Sequence, residues 1–278
     1  MDLHRIDPAR DADRVREFLS SSDPDDYLLE GLDEWVREGR LYAGVEKGAW
    51  VVFARLHDLG DGEGWLSGMR VLSSRRGQGL GSEFVKGLLS EARASGLTDL
   101  RAVIEDENIA SRRLVGHFGF RSAASMCLRR GLPDPTAPAV LRPAGPDDDL
   151  GGPVGWIPER TERVDLLPGT DGGRFGRWRP SLPRRWAEEG KLYLAPGIAA
   201  AVQEDWWREP RTLWVNPLRG SPAALFPAVA ALTHSLGHEE WQAFLPSTDE
   251  LRAEYHRLGA LPHAAWGDRV QLYERSEP

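Results

Sequence analysis

Apolar and polar residues recur with two different periods along the first half of the chain, and each change of period marks an element. Residues 3–6 read as a short strand, and residues 12–19 and 27–38 repeat apolar positions at helical spacing. Residues 41–46 and 50–56 are aliphatic and aromatic runs on either side of Lys47-Gly48, the pattern of a hairpin, and residues 65–72 make a further strand. Residues 82–95 place Phe84, Val85, Leu88, Leu89 and Ala92 on one side of a helix that stops at Gly96. A strand at 100–105 follows. Asn108 then reads as the N-cap of a helix running to Phe118, with Gly119 at its end, and residues 120–129 form a last strand. The order β-α-α-β-β-β-α-β-α-β predicts a mixed sheet with helices packed on it.

The chain repeats itself. Residues 35–42 read WVREGRLY and residues 186–193 read WAEEGKLY, an offset of 151. Downstream, Val71 aligns with Val215 and Gly119 with Gly259, with the offset falling to 144 and then 140, and residues 57–64 (HDLGDGEG) read as a loop mostly missing from the second copy. Two similarly folded halves are expected, residues 1–131 and 141–278, joined by a Pro-rich linker at 132–140.

Composition narrows the class. A length of 278 residues suits two domains, and 41% hydrophobic residues suffice for real cores. No apolar run reaches the ~18 residues of a membrane span, and the charged N-terminus lacks the apolar stretch of a secretory signal. Cys127 is the only cysteine, which excludes a disulfide within one chain and a cysteine-based zinc site. A cytoplasmic protein without a metal is the expectation. The net charge of −8 argues against a nucleic-acid partner, which needs a basic face.

The candidate chemistry lies in residues 75–84, RRGQGLGSEF, between a strand and an amphipathic helix. Glycines at every second position let the backbone approach a ligand closely, and amides at a helix N-terminus favour an anion. A dinucleotide loop needs G-x-G-x-x-G, but Ser82 stands where its third glycine would be. A nucleotide-triphosphatase loop, G-x-x-x-x-G-K-[ST], does not occur. The pattern R/Q-x-x-G-x-G/A is met by Arg76-Gly77-Gln78-Gly79-Leu80-Gly81. Together with Val71 five residues earlier, and with Asn108, Ser111 and Gly119-Phe120 downstream, it resembles the acetyl-coenzyme A loop of the GNAT (Gcn5-related N-acetyltransferase) superfamily.

That resemblance implies an α/β (α+β) fold of two tandem GNAT-like domains, each a mixed, mostly antiparallel twisted sheet flanked by helices. It implies transfer of an acetyl group from acetyl-CoA to a primary amine of a small molecule. Met69, Val71, Arg76, Gly77, Gln78, Gly79, Leu80, Gly81, Ser82 and Asn108 would bind the coenzyme. Arg76 would meet the pyrophosphate, and the strand of Met69 and Val71 would pair with the pantetheine arm and polarise the thioester.

The chain departs from the family at one catalytic position. The family's proton-donating tyrosine falls at Val115, which has no proton to give. Ser111, one turn earlier, is a candidate substitute. In the second half, Tyr255 holds the equivalent position, as a packing residue beside Leu251 and Leu258, but residues 215–224 read VNPLRGSPAA. The glycine triplet is gone and Pro222 has no N–H, so this copy is expected to be degenerate. Glu63 is the first candidate base for the amine and His57 the second, against an ordinary loop acid and a surface histidine. Residues 20–39 carry seven acidic side chains against Arg37, which suits either a cationic acceptor or a solvated, capped helix face. The adjacent Trp206 and Trp207 read as core or interface residues. A non-catalytic acyl-CoA-binding sensor or assembly protein is the alternative to an enzyme.

Overall fold

Two tight turns shape the front of the first sheet. Lys47 and Gly48 take φ of 50° and 81°, and Asp61 and Gly62 take 51° and 79°. Positive φ at both central residues twists a two-residue hairpin in the sense that its strands require. The computed structural model describes residues 1–29, 32–38, 40–145, 148, 166–168, 174–179, 181–205, 210–263 and 266–276. It falls into two units. The first comprises Met1–Val103, Asn108–Arg121 and Tyr273–Pro278, and the second comprises Ile104–Glu107 and Ser122–Leu272.

In the first unit β1 (Asp2–Arg5) is followed by α1 (Pro8–Ser22), α2 (Leu32–Glu38), β2 (Leu41–Glu46), β3 (Ala49–Gly60), β4 (Glu63–Val71), α3 (Leu80–Ala94), β5 (Asp99–Glu105), of which the part up to Val103 belongs here, and α4 (Ile109–His117). Strands β1 to β4 pair antiparallel in sequence order, and β4 pairs parallel with β5. Asp7 caps α1 by accepting from the Ala9 amide at 3.0 Å, with Pro8 in the first turn. Val15, Phe18 and Leu19 of α1 are buried with Leu28, Leu32, Val36, Leu41, Trp50 and Phe53. Burying each large side chain of this kind contributes about 1.5–3 kcal/mol. Helix α3 buries Phe84, Val85, Leu88 and Ala92 of the expected stripe together with Leu80, while Leu89 is only half-buried.

Two expectations are corrected. Residues 57–64 are not a loop: β3 runs to Gly60 and β4 starts at Glu63, because Asp61-Gly62 makes the tight turn. Residues 27–38 are not one helix. Tyr27–Leu29 is a single 3₁₀ turn before α2, and the Asp26 carboxylate accepts from the Leu28 amide at 3.0 Å while also binding Arg70.

The second unit contains β6 (Arg121–Gly131), of which Ser122 onward belongs here, then β7 (Arg142–Pro143), β8 (Leu166–Pro168), β9 (Phe175–Arg177), α5 (Leu182–Glu188), β10 (Leu192–Ala195), β11 (Ile198–Asp205), β12 (Thr212–Arg219), α6 (Pro222–Ser235), β13 (Glu240–Pro246), α7 (Asp249–Arg257), β14 (Leu261–Pro262) and β15 (Val270–Ser276). Its strand order is β6-β13-β12-β11-β10-β7, with β14 also on β6, and β8 and β9 form a separate ribbon. Residues 273–276 of β15 belong to the first unit, so each half of the sequence contributes a final strand segment to the other half's unit. The core gathers Trp186, Leu192, Val202, Leu213, Leu225, Phe226, Trp241, Leu245 and Tyr255. Trp206 and Trp207 lie outside the described residues.

The repeat is visible in the elements. Trp35 and Trp186 lie in α2 and α5, and Tyr42 and Tyr193 in β2 and β10. One alignment is corrected: β2 and β4 begin at residues 41 and 63, and β10 and β12 at 192 and 212, so this region of the second copy is only two residues shorter. The parallel ladders set Trp65 equivalent to Trp214, not Val71 to Val215. The missing residues come from the glycine loop, since only Gly220 and Ser221 join β12 to α6.

Candidate active site

The site begins where a ladder stops. β4 and β5 pair at Glu63↔Asp99, Gly64↔Leu100 and Trp65↔Arg101, and beyond Trp65 the rest of β4 has no register with β5. On its other edge β4 stays paired with β3 as far as Val71. The Leu72 amide donates to Val51 O at 3.0 Å. Strand alternation therefore turns the peptide groups of Val71 away from β3, toward the unpaired edge. Arg76 confirms the direction, because its Nε donates to Val71 O at 3.3 Å.

β4 also carries a bulge. Phe53 opposes Arg70 and Arg55 opposes Ser67, so Gly68 and Met69 together oppose Ala54. Gly68 takes φ of 62°, and a Cβ there would stand 2.6 Å from Cζ3 of Trp35. Only glycine satisfies both the turn and this close approach. Arg70 binds Asp26 through two contacts, Nε–Oδ2 at 2.6 Å and Nη2–Oδ1 at 3.0 Å.

The glycine loop is exposed from Arg76 to Gly79, while Leu80 is buried and anchors α3. Gly77 and Gly79 take φ of 76° and 80°, and a Cβ built on either would meet nothing within 4 Å. Among the described residues, no backbone carbonyl accepts from the amides of Gly77, Gln78, Gly79, Leu80 or Gly81. They form an open row at the N-terminus of a helix, where the helix dipole adds positive potential. The Ser82 amide turns inward to Gly79 O at 3.0 Å. Gln78 accepts from Arg75 Nε at 2.8 Å, and Arg75 reaches Glu46 at 2.6 Å, which braces the loop from outside. Gly81 faces an apolar wall: its Cβ would lie 3.6 Å from Leu114 Cδ2 and 3.7 Å from both Met69 Cε and Val71 Cγ2. β4, α3 and α4 thus converge on one small volume.

On α4, Asn108 is the N-cap and its Oδ1 accepts from the Ser111 amide at 3.1 Å. Ser111 is half-buried and Val115 buried. Phe118 and Phe120 amides both donate to Val115 O, and Leu258 and Ala260 amides both donate to Tyr255 O. Identical helix ends make Val115 and Tyr255 structural equivalents. Tyr255 is fully buried and its hydroxyl donates to Pro246 O at 3.2 Å, as befits a packing residue.

Glu63 is not in a loop. It opens β4, is only 4% exposed, and lies 3.3 Å from the buried Arg101, which also approaches Glu274 at 3.9 Å. His57 sits on β3 with Nδ1 3.0 Å from Arg55. The acidic run is divided. Asp26 is buried against Arg70, and Asp33 pairs with Arg16 at 2.8 Å. Asp23 ends α1 and accepts from the Asp25 amide at 3.1 Å, and both side chains are exposed. Glu30 lies outside the described residues. The Gly68 bulge, the contact of Trp35 with it and the Asp26–Arg70 pair were not read from sequence, although a glycine inside a strand is a signal for a bulge.

In the second unit the ladder of β12 and β13 likewise ends after three pairs, at Trp214↔Gln242. The helix that follows offers no comparable row: Pro222 occupies its first position and Ser221 caps the Ala224 amide. A cavity of about 360 Å³ under the β10–β11 turn is walled by Trp178, Leu192, Leu194 and Ile198, with Leu218 and Arg219 of β12 also lining it. Among the described residues no three metal-ligating side chains cluster, and no helix is long and apolar enough to cross a membrane.

Residues 9–120 match the profile of the acetyltransferase (GNAT) family. A comparison with curated proteins finds no match. Among solved structures, a proposed acetyltransferase from Thermoplasma acidophilum is 18% identical with a TM-score of 0.66, each chain covered at 100%. A GCN5-related N-acetyltransferase from Sphaerobacter thermophilus is 18% identical with a TM-score of 0.63, covering 99% of this chain and 95% of that one. A tandem GNAT protein from the clavulanic acid biosynthesis pathway is 12% identical with a TM-score of 0.61, covering 100% and 99%. Residues 9–120 are thus similar to the acetyltransferase (GNAT) family, and over its whole length the chain shares the fold of these solved structures, the tandem GNAT protein among them.

Proposed function

We propose that the first unit transfers an acetyl group from acetyl-CoA to the primary amine of a small molecule, with direct attack of the amine on the thioester. The observation that carries this reading is the open row of amides from Gly77 to Gly81, set at the mouth of the unpaired β4 edge. Those amides would bind the pyrophosphate, with Arg76 adding a charge-assisted contact and Gln78 and Ser82 holding the loop's shape. Met69 and Val71 would pair with the pantetheine arm, Asn108 would face it from α4, and a β4 amide would polarise the thioester carbonyl.

The amine nitrogen forms the new bond to the carbonyl carbon and the carbon–sulfur bond breaks. The amine's proton passes through water to Glu63, which Arg101 holds in place at 3.3 Å. The leaving thiol has an ordinary pKa near ~8.5, so it departs as thiolate or takes a proton from Ser111 or water. The exposed Asp23 and Asp25 favour an acceptor that carries positive charge. A cytoplasmic setting suits both the coenzyme and the lone, buried Cys127.

A second reading has its own support: Val115 is buried where the family places a proton donor, which suits a non-catalytic acyl-CoA binder. Thiol release from acetyl-CoA across a panel of small amines separates the two. The transferase reading requires release with at least one amine and a matching acetamide by mass. Tight coenzyme binding with no release from any amine would favour the binder.

A further inference from the structure

Met69 is gripped from both sides by one short stretch of chain. On its N-terminal side, Gly68 lies against the Trp35 ring, with Cζ3 and Cη2 at 2.6 and 2.9 Å from where its Cβ would be, and Leu28 at 3.3 Å. On its C-terminal side, Arg70 is held by both carboxylate oxygens of Asp26, and its Nη1 donates to the Met69 carbonyl at 3.2 Å. Asp26 is itself fixed, 6% exposed, accepting from the Leu28 amide at 3.0 Å and donating its own amide to Asp23 O at 3.2 Å. Asp26, Leu28 and Trp35 therefore set the position of the two residues that flank Met69.

The two faces of β4 divide the work. Met69 and Val71 turn their side chains toward Gly81 and Leu114. Gly68 and Arg70 turn the other way, onto the Asp26–Trp35 stretch. A bulge has one residue more than its partner strand can pair, so its peptide orientation is decided by what packs around it. A buried, bidentate Arg–carboxylate pair fixes direction as well as distance.

We infer that Asp26 and Trp35 are positioning residues for acyl transfer, locking the Gly68–Met69 bulge so that a β4 amide points at the thioester carbonyl. This rests on the function proposed above. Preorganised donors act through fixed direction, so slackening the bulge weakens polarisation of the carbonyl without touching the glycine loop that binds the coenzyme.

The test needs no knowledge of the acceptor. Isotope-edited infrared spectra of acetyl-CoA labelled with ¹³C at the carbonyl report polarisation of the bound thioester as a downshift of its stretch. In the wild-type chain the bound band lies below that of free acetyl-CoA. In Asp26→Asn and in Trp35→Phe, two independent and mild changes, the band returns at least half-way to the free position, while the coenzyme Kd stays within about threefold. A purely structural role would lower the melting temperature and leave the bound band in place. An unmoved band in the folded variants overturns the inference, and a raised KM for an amine alongside it would reassign Asp26 to acceptor binding. A wild-type band equal to that of free acetyl-CoA overturns the inference but spares the coenzyme site. Failure of the wild-type chain to bind acetyl-CoA removes the proposed function and the inference together.

Discussion

Trp65 of β4 stands opposite Arg101 of β5 as the last pair of their parallel ladder, and the free edge of β4 begins with the next residue. The equivalent pair in the second unit, Trp214 and Gln242, ends its ladder in the same way. Both units therefore keep the splayed strands of the fold. Only the first also keeps an eight-residue connection, 72–79, able to offer amides to an anion. The second joins strand to helix through Gly220 and Ser221 and places Pro222 at the helix start.

Gly79→Glu is expected to abolish coenzyme binding. Its φ of 80° strains any side chain, and a carboxylate would sit at the proposed pyrophosphate site. Strain of about 1–2 kcal/mol should appear in stability, while calorimetric titration should show at least ~100-fold weaker acetyl-CoA binding. Unchanged affinity would place the coenzyme elsewhere.

Glu63→Gln separates two roles of one carboxylate. Glu63 is paired with Arg101 in the interior, so its neutralisation should lower stability by about 2–4 kcal/mol in urea unfolding, with Glu274 limiting the loss. If Glu63 also receives the amine's proton, thiol release should slow by more than ~10-fold while the coenzyme Kd is unchanged. A stability loss with an unaltered rate would leave Glu63 as a brace alone.

Ending the chain after Leu272 should disable the first unit. Residues 273–276 lie with it, with Arg112 donating to the Tyr273 hydroxyl at 3.1 Å, Glu274 near Arg101, and Ser276 donating to Asp99 at 2.5 Å. The truncated chain should lose acetyl-CoA binding, as should residues 1–131 alone, although every loop residue is retained. Full affinity in either would contradict the exchange of strand segments.

Stability should fall on mild acidification because of His238. Its side chain is fully buried, and burial lowers its pKa below the ordinary ~6.5, against the opposing pull of Glu204 at 3.5 Å. The unfolded chain then binds a proton that the folded chain does not, so stability is lost as pH drops below ~6.5 and continues to fall toward the lowered folded value. Urea midpoints at several pH values should show this slope, and His238→Phe should flatten it.

Local chemistry explains what was legible in the sequence. The α3 stripe of Phe84, Val85, Leu88 and Ala92, the Lys47-Gly48 turn, and the Asn108 cap with Gly119 as stop each depend on neighbours a few residues away. So does the repeated Trp–Gly–Leu-Tyr octapeptide. Asp61-Gly62 was equally local, but the polar residues around it masked a hairpin as a loop. The remainder was not local. Glu63 reads as a free acid until Arg101 is brought beside it, Asp26 reads as a helix-face acid until Arg70 reaches it, and nothing near residue 131 says that residues 273–276 lie with the first unit. Equating Val71 with Val215 failed because a gap could be placed in either of two loops, and only the ladders show that the glycine loop was the one shortened.

The central claim is that the amides of Gly77 to Gly81 hold the coenzyme's pyrophosphate. Backbone amide NMR shifts during titration with acetyl-CoA test it residue by residue. The largest changes are expected at Gly77, Gly79, Leu80 and Gly81, accompanied by Met69 and Val71, and none at residues 219–224. Quiet loop amides in the presence of bound acetyl-CoA, or changes centred on residues 219–224, would contradict it.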